Sequence, residues 1–335
     1  MCSYLNSINL IRYLLVWRVN SSLVYLPQCL SPEISAVLGT VIAERFPTGE
    51  ARDWRKAMGV WSEYLSNTRQ MSKRVPQASW PVDAAIFAYP GKRTYGQGEL
   101  ILWELKLFGT SADHGLFLEI ILPAMEEASY TSDTRWNRPN RLWGRFDIDS
   151  VYVARGSRWE PLVTNGRLDL RYRVSPVQWA EGLTPGSVSE DKFSTATRLT
   201  WITPFDLDDT FEEEGKKKGK SSIKAPDLRR ILEALIARLN LLIPGLSDDP
   251  GEASDSEEQP SIRDAIKQAD SVSILHKSLK ATSKGCPGRY IGTQIFSCVP
   301  FPVIPYLELA SILHIGKQIH FGCGTFLLST RTEAP

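Results

Sequence analysis

The strongest constraint on the fold is an order of strand-like and helix-like stretches that occurs twice along the chain. In the first half, "RYLLVWRVN" (12–20) alternates as a strand does. Next comes "SPEISAVLGTVIAERF", in which Ser31-Pro32-Glu33 supplies a cap and a first-turn proline, and Ile34, Val37, Leu38, Val41 and Ile42 recur at helical spacing. From Pro47 to Pro81 the pattern is mixed and reads as irregular. "GELILWELKLFG" (98–109) then sets Ile101, Trp103, Leu105 and Leu107 against Leu100, Leu102, Glu104 and Lys106, the signature of a strand with one buried and one open face, closed by Gly109. A helix from Gly115 to Ser129 and a strand pair, "GRFDIDSVYVA" with "RLDLRYRV", complete the unit.

The second half repeats the scheme. The strand "TRLTWITPF" leads into the helix "PDLRRILEALIARLNLLI", with Leu228, Ile231, Leu232, Leu235, Leu239 and Leu242 on one face. Strands near Val272–Leu279 and Tyr290–Cys298, a short helix Pro305–Leu313 and the strand "TFLLST" follow. Each half therefore predicts a split βαβ unit. The predicted class is α+β: two tandem ferredoxin-like domains, 1–185 and 195–335, with a glycine-rich loop near the C-terminus. A chain of 335 residues is long for one core, which agrees with two domains. Two stretches poor in apolar residues, 209–224 and 246–261, are predicted to be mobile loops.

Hydrophobic content of 42% and ten tryptophans indicate a folded globular protein. The five cysteines form no CxxC pair, so neither a zinc framework nor a secreted disulfide pattern is predicted. Arg12 and Arg18 interrupt the apolar N-terminal stretch, and no run of about 20 apolar residues reads as a span. A soluble, cytoplasmic protein without a membrane partner is the expectation. Net charge is only +1, yet Asp206–Glu214 and Ser247–Glu258 carry six acids each and no Lys or Arg. The remainder holds 26 acids against 39 bases, a surplus able to attract phosphates, although a mixed solvated surface would have the same composition.

The densest glycine cluster lies in "ASILHIGKQIHFGCGTFLLST" (310–330), which also holds two of the four histidines. Gly316, Gly322 and Gly324 between a helix and a strand would let backbone N–H groups approach a polyanion. No GxxxxGK[ST] occurs, and the helix–loop–strand order is the reverse of a dinucleotide fingerprint. A plain glycine turn with incidental Lys and His remains the alternative.

The order "PYLELASILHIGKQIHFGCGTFLL" resembles the C-terminal glycine-rich loop of the CRISPR-associated repeat RNA endoribonucleases of the RAMP superfamily. "YGQGELILWELKLFG", "RLWGRFDIDSV", "TRLTWITPF" and "GRYIGTQIF" are similar, in order, to further strands of that family. The departures are His320 where members commonly have Thr or Ser, and "FGCG" in place of Phe-Gly-Leu-Gly. The resemblance implies two ferredoxin-like domains that bind CRISPR repeat RNA and cut it without metal or cofactor. It implies crRNA as the retained product and other CRISPR effector subunits as partners.

Such cleavage needs a base for the 2′-hydroxyl, an acid for the leaving 5′-oxygen, and positive charge at the phosphate, and histidine suits both proton steps. His314, in the His-x-Gly-Lys position, is the first candidate for the base and His320 the second, with Lys317 as phosphate clamp. Many members carry a catalytic histidine on their first helix; here no histidine precedes His114, itself read as a loop or cap residue. "HKSLKATSKGCPGR" offers His276, Lys277, Lys280, Lys284 and Arg289 as RNA contacts, and Arg229 and Arg230 could grip a stem. Arg141 and Arg145, close to Trp136, mix charge and stacking as single-stranded bases require. Two other readings stand beside this one: a non-catalytic RNA-binding scaffold of the same superfamily, and a glycine-loop enzyme acting on a small phosphorylated molecule.

Overall fold

The computed structural model describes residues 5–47, 49–66, 79–89, 91–131, 142–183, 196–207, 225–243 and 262–330. Arg141, Trp136 and the stretches 209–224 and 246–261 lie outside them, as does most of the linker between the halves.

In the first half, β1 (Leu10–Val19) and the short β2 (Leu23–Tyr25) precede α1 (Leu30–Arg45) and α2 (Ala51–Ser66). Then come β3 (Ala84–Ala88), β4 (Thr94–Gly96) and β5 (Leu100–Phe108). A helical run, α3, is α at His114–Leu116, π at Phe117–Ile121 and α again at Leu122–Tyr130. β6 (Phe146–Arg155), β7 (Arg158–Thr164) and β8 (Arg167–Leu168) close this half. The main sheet runs β3-β5-β1-β6-β7-β8, and its pairings are antiparallel. Its first four strands have the ferredoxin-like order. One face packs Trp17, Trp103 and Leu105 against Val37, Leu38, Val41 and Ile42 of α1 and Phe117, Ile121 and Met125 of α3.

In the second half, β9 (Thr197–Phe205), α4 (Leu228–Leu242), α5 (Ile262–Ala269), β10 (Ile274–Ala281), β11 (Tyr290–Phe296), α6 (Ile304–Leu313) and β12 (Phe326–Thr330) form a sheet ordered β10-β11-β9-β12. This repeats the strand order of the first four. Asp227 caps α4 by accepting from the Arg230 N–H, and Leu228, Ile231, Leu232, Leu235, Leu239 and Leu242 are buried beneath it. The chain is therefore a pair of tandem ferredoxin-like units.

Several local expectations fail for identifiable reasons. The irregular stretch after Pro47 contains α2, whose Ala51, Trp54 and Met58 bury one helical face. β3 and α5 were not anticipated either. The cap of α1 is Cys29, because the Ser31 hydroxyl accepts instead from the Ala88 N–H at 3.1 Å. β6 pairs with β7 through a tight turn at Gly156, which leaves only two residues of "RLDLRYRV" as strand. The two sheets also hold parts of each other's core. Leu5, Ile8, Leu10, Ala85 and Phe108 pack with α4 and α6, while Phe321 enters the first core.

Candidate nucleic-acid interface between the two sheets

The alternation of β5 places Glu104 and Lys106 on its open face, but the second half covers them, leaving 2% and 3% exposure. Lys106 Nζ donates to the Ile312 carbonyl at 2.7 Å and lies 3.0 Å from His314 Nε2. Glu104 accepts from Arg12 at 2.6 Å and from the Tyr89 hydroxyl at 3.4 Å, with Lys106 3.9 Å away. Burial pushes the Glu104 carboxyl up, but Arg12 and Lys106 outweigh it and hold it below the ordinary range. Burial pulls Lys106 down to about 7 against the attraction of Glu104. This group is a junction between the halves, made from β5, Arg12 of β1, Tyr89 after β3 and the end of α6.

His314 belongs to that junction. Its side chain is fully buried, its Nδ1 faces the Cys323 carbonyl at 3.0 Å and its Nε2 faces Lys106. Nδ1 therefore carries the proton, and Nε2 accepts. Burial and the nearby Lys106 charge hold its pKa well below the usual value. His314 is fully buried, has both nitrogens engaged and lines neither the cavity beside His320 nor the cleft between the sheets, so its geometry fits a structural role better than that of a general base. Its backbone adopts φ of +59°, sparsely populated outside glycine, which is sustained only where the surroundings over-determine it.

The glycines are occupied too. A Cβ on Gly316, Gly322 or Gly324 would lie 2.6 Å from the Asp206 carbonyl oxygen, 2.6 Å from that of Ile86 and 1.9 Å from that of Ile315, respectively. The Ile315, Lys317, Gly322 and Gly324 amides donate to carbonyls of Gly324, Asp206, Ile319 and Pro204. The expectation that these glycines open amides toward a polyanion is corrected for Gly322 and Gly324, whose own amides are engaged; all three glycines let the loop close against the end of β9, β3 and itself.

His320 is 7% exposed and sits between the halves. Its Nδ1 is 3.0 Å from the Ala84 carbonyl, its Nε2 is 2.7 Å from the Ser35 hydroxyl on α1, and Trp80 meets it edge-on. Burial lowers its pKa to about 4, so the ring is neutral at pH 7. Unlike His314, it borders a cavity, of about 620 Å³, formed by Ser79–Ala84 and Lys317–Phe321. Lys317 lies on the same wall.

A second cavity, of about 450 Å³, opens between the two sheets. Tyr89, Lys92, Arg93 and Tyr95 line it from the first half, and Ile202, Lys280 and Ile291 from the second, with Phe321 among its lining. Lys92 lies 5.3 Å over the Tyr95 ring and pairs with Glu99. His276, Lys277 and Lys280 are exposed on the edge strand β10, and Lys284 is exposed in the loop after it. Of the residues the sequence singles out here, Lys280 lines the cavity, whereas His276, Lys277 and Lys284 do not. Lys92 and Arg93, which line it from the first half, come from "YPGKRTYG", a stretch with the same mixture of charge, aromatic and glycine.

The other expected contacts lie away from the cleft. Arg229, Arg230 and Arg289 together line a separate cavity of about 360 Å³. There Arg229 is bound by Glu233 at 2.8 Å and Asp270 at 3.3 Å, and Arg289 lies 3.1 Å from Asp206. Arg145, half-buried before β6, is not among the residues lining the cleft. The cysteine expectation is overturned: Cys29 and Cys286 form a disulfide, with Cα atoms 5.7 Å apart. A pairing across 257 residues has no local sequence signature. Among the described residues, no cluster of three or more His, Cys, Asp or Glu could hold a metal ion, and no helix is long and apolar enough to cross a membrane.

No protein-family model matches the chain, and no curated protein matches it in sequence. Solved structures do. A chain of a partial Cas6-RT-Cas1–Cas2 complex superposes with a TM-score of 0.54 at 11% identity, over 98% of this chain and 47% of that one. The fold is shared. A second Cas6-RT-Cas1–Cas2 complex gives the same score and identity over 98% and 29%. A Cas6 product complex matches 96% of this chain and 100% of its own at 13% identity, with a TM-score of 0.45. The chain thus spans less than half the length of the first two chains it matches.

Proposed function

We propose that the chain is a RAMP protein of the Cas6 kind, which binds CRISPR repeat RNA in the cleft between its two sheets and cuts it to release crRNA. The observation that carries this reading is a basic, aromatic-lined cleft between two tandem ferredoxin-like sheets, with Lys92 and Arg93 on one side and Lys280 on the other. Lysine and arginine would neutralise phosphates, while the exposed Tyr89 offers a face for a base. The solved Cas6 structures support the reading through their fold.

For cleavage, the 2′-hydroxyl oxygen attacks the adjacent phosphorus, its proton passes to a base, and the 5′-oxygen leaves with a proton from an acid. His320 is the stronger candidate for the base because, unlike His314, it borders a cavity, the 620 Å³ one that Lys317 also lines, and its Nε2 would exchange the Ser35 hydroxyl for the 2′-hydroxyl. Lys317 would stabilise charge on the phosphate. After cutting, the protein would remain on the crRNA as a subunit of an effector assembly.

A second reading rests on a specific observation: both nitrogens of His314 and of His320 already have partners inside the protein. A scaffold that binds repeat RNA without cutting it would have such histidines. Incubating repeat RNA with the protein in EDTA separates the two. Cleavage that disappears in His320→Ala and with a 2′-deoxy substrate supports the nuclease. Binding without cleavage supports the scaffold, and absence of binding at low salt refutes both.

A further inference from the structure

The Cys29–Cys286 disulfide is used by nothing described so far, yet it joins the two halves at the cleft. Cys29 is the residue before α1, and Cys286 lies in the loop from β10 to β11; both line the cleft cavity. Beside them Gln28 Nε2 donates to the Ser283 hydroxyl at 2.5 Å, a second link between the same two loops. The β10–β11 loop is otherwise held by its own half. Gly288 N–H donates to the Gln318 side chain, Arg289 N–H to the Phe205 carbonyl, and Thr282 N–H to the Arg289 carbonyl. Breaking the disulfide would therefore leave the loop folded and, among the contacts above, tied to the first half by the Gln28–Ser283 hydrogen bond. Both sulfurs belong to half-buried residues, within reach of a small thiol or a dithiol reductant.

We infer that this disulfide is a redox strap that fixes the spacing of the cleft's two basic walls. This rests on the cleft being the RNA site. Lys280 and Lys284 flank one end of the strap, and Lys92 and Arg93 line the cavity from the half that holds the other end. With the bond formed, the walls stand at one separation before RNA arrives, and less order is lost on binding. The step balances as thiol–disulfide exchange. A thiolate of a dithiol reductant attacks one sulfur, the S–S bond breaks and a mixed disulfide forms. The reductant's second thiolate then displaces the protein thiolate, leaving two protein thiols and an oxidised reductant. Oxidised glutathione would drive the reverse.

The experiment uses the full chain, oxidised with glutathione disulfide or reduced with dithiothreitol, together with Cys29→Ser and Cys286→Ser. Alkylation with mass mapping reads the bond, hydrogen exchange over residues 27–31 and 282–289 reads the strap, and filter binding of repeat RNA reads the cleft. The expected result is faster exchange in both segments on reduction and repeat RNA affinity lowered by roughly three- to tenfold, the scale of a lost pre-organisation term. Each single variant should behave as the reduced protein in either buffer. Full alkylation of Cys29 and Cys286 after oxidation would overturn the inference. So would RNA affinity equal in the two states, or a dithiothreitol response that persists in Cys29→Ser. If repeat RNA binds in neither state, the RNA reading fails, and exchange alone then decides whether the strap exists.

Discussion

Replacing Lys106 with methionine tests whether the buried junction holds the two halves together. The side chain keeps its length and loses its charge. Two acceptors remain behind, the Ile312 carbonyl and His314 Nε2, which now contact Lys106 at 2.7 and 3.0 Å. Each buried acceptor left without a donor costs about 1–3 kcal/mol, giving a gross loss of about 2–6 kcal/mol. Relief from burying an ammonium offsets part of this, since buried charges are costly even when paired. A net loss of about 2–3 kcal/mol is therefore expected by the same reasoning. Urea unfolding followed by tryptophan fluorescence measures it, and the slope should be unchanged because the fold is unchanged. His314→Leu removes one of the two acceptors, so the double variant should lose less than the sum of the singles, by about 1 kcal/mol. A Lys106→Met protein within about 0.5 kcal/mol of wild type, the ordinary size of a surface substitution, would refute the junction.

Three further outcomes are expected. His320 has a folded pKa of about 4 against the ordinary 6.5, so its stabilising contribution is complete above pH 6.5 and is lost as pH falls toward 4. The unfolding free energy from urea curves should drop over that window by up to about 3 kcal/mol from this group, and His320→Gln should flatten the fall; an unchanged pH dependence in that variant would contradict the buried neutral ring. Repeat RNA affinity measured by filter binding should fall by roughly tenfold or more between 50 and 200 mM salt, and Arg93→Glu and Lys280→Glu should each weaken it, since the contacts are to phosphates. Gly324→Ala, at φ of +83° with a Cβ 1.9 Å from the Ile315 oxygen, should lose more than about 2 kcal/mol in urea unfolding, whereas Gly98→Ala, at φ of +84° in open space, should lose about 1 kcal/mol.

The sequence carried the tandem architecture because strand order follows from the order of periodic stretches, and "TRLTWITPF", the Leu228–Leu242 helix face and the closing strand each bear a clean period. α2 was missed although Ala51, Trp54 and Met58 share a face, because the charged residues between them obscure the pattern. The alternation that sets Glu104 and Lys106 against the apolar face is correct for the strand, but it does not show that their own face is covered. What covers it comes from residues some 200 positions away, and no local pattern reports that. The cysteine pair was hidden for the same reason.

The glycine loop shows how one stretch can mislead about its role. A His-x-Gly-Lys and three glycines suggest an exposed binding loop, because exposed ligand contact and close backbone packing both require a missing side chain. Only the neighbours distinguish them. Here those neighbours are the carbonyls of Asp206, Ile86 and Ile315, so the loop is a clasp joining β9 and β3. His314 and His320 extend the clasp to Lys106 on β5 and to Ser35 on α1. From it Lys317–Phe321 line a cavity, and of these Lys317 and His320 carry ionisable side chains. Loss of cleavage in a loop variant is therefore ambiguous by itself, since unclasping the halves would also separate the cleft walls. The two causes part in a pair of measurements. A variant acting through chemistry keeps its urea midpoint and its RNA affinity while cleavage falls, whereas a variant acting through the clasp loses all three together.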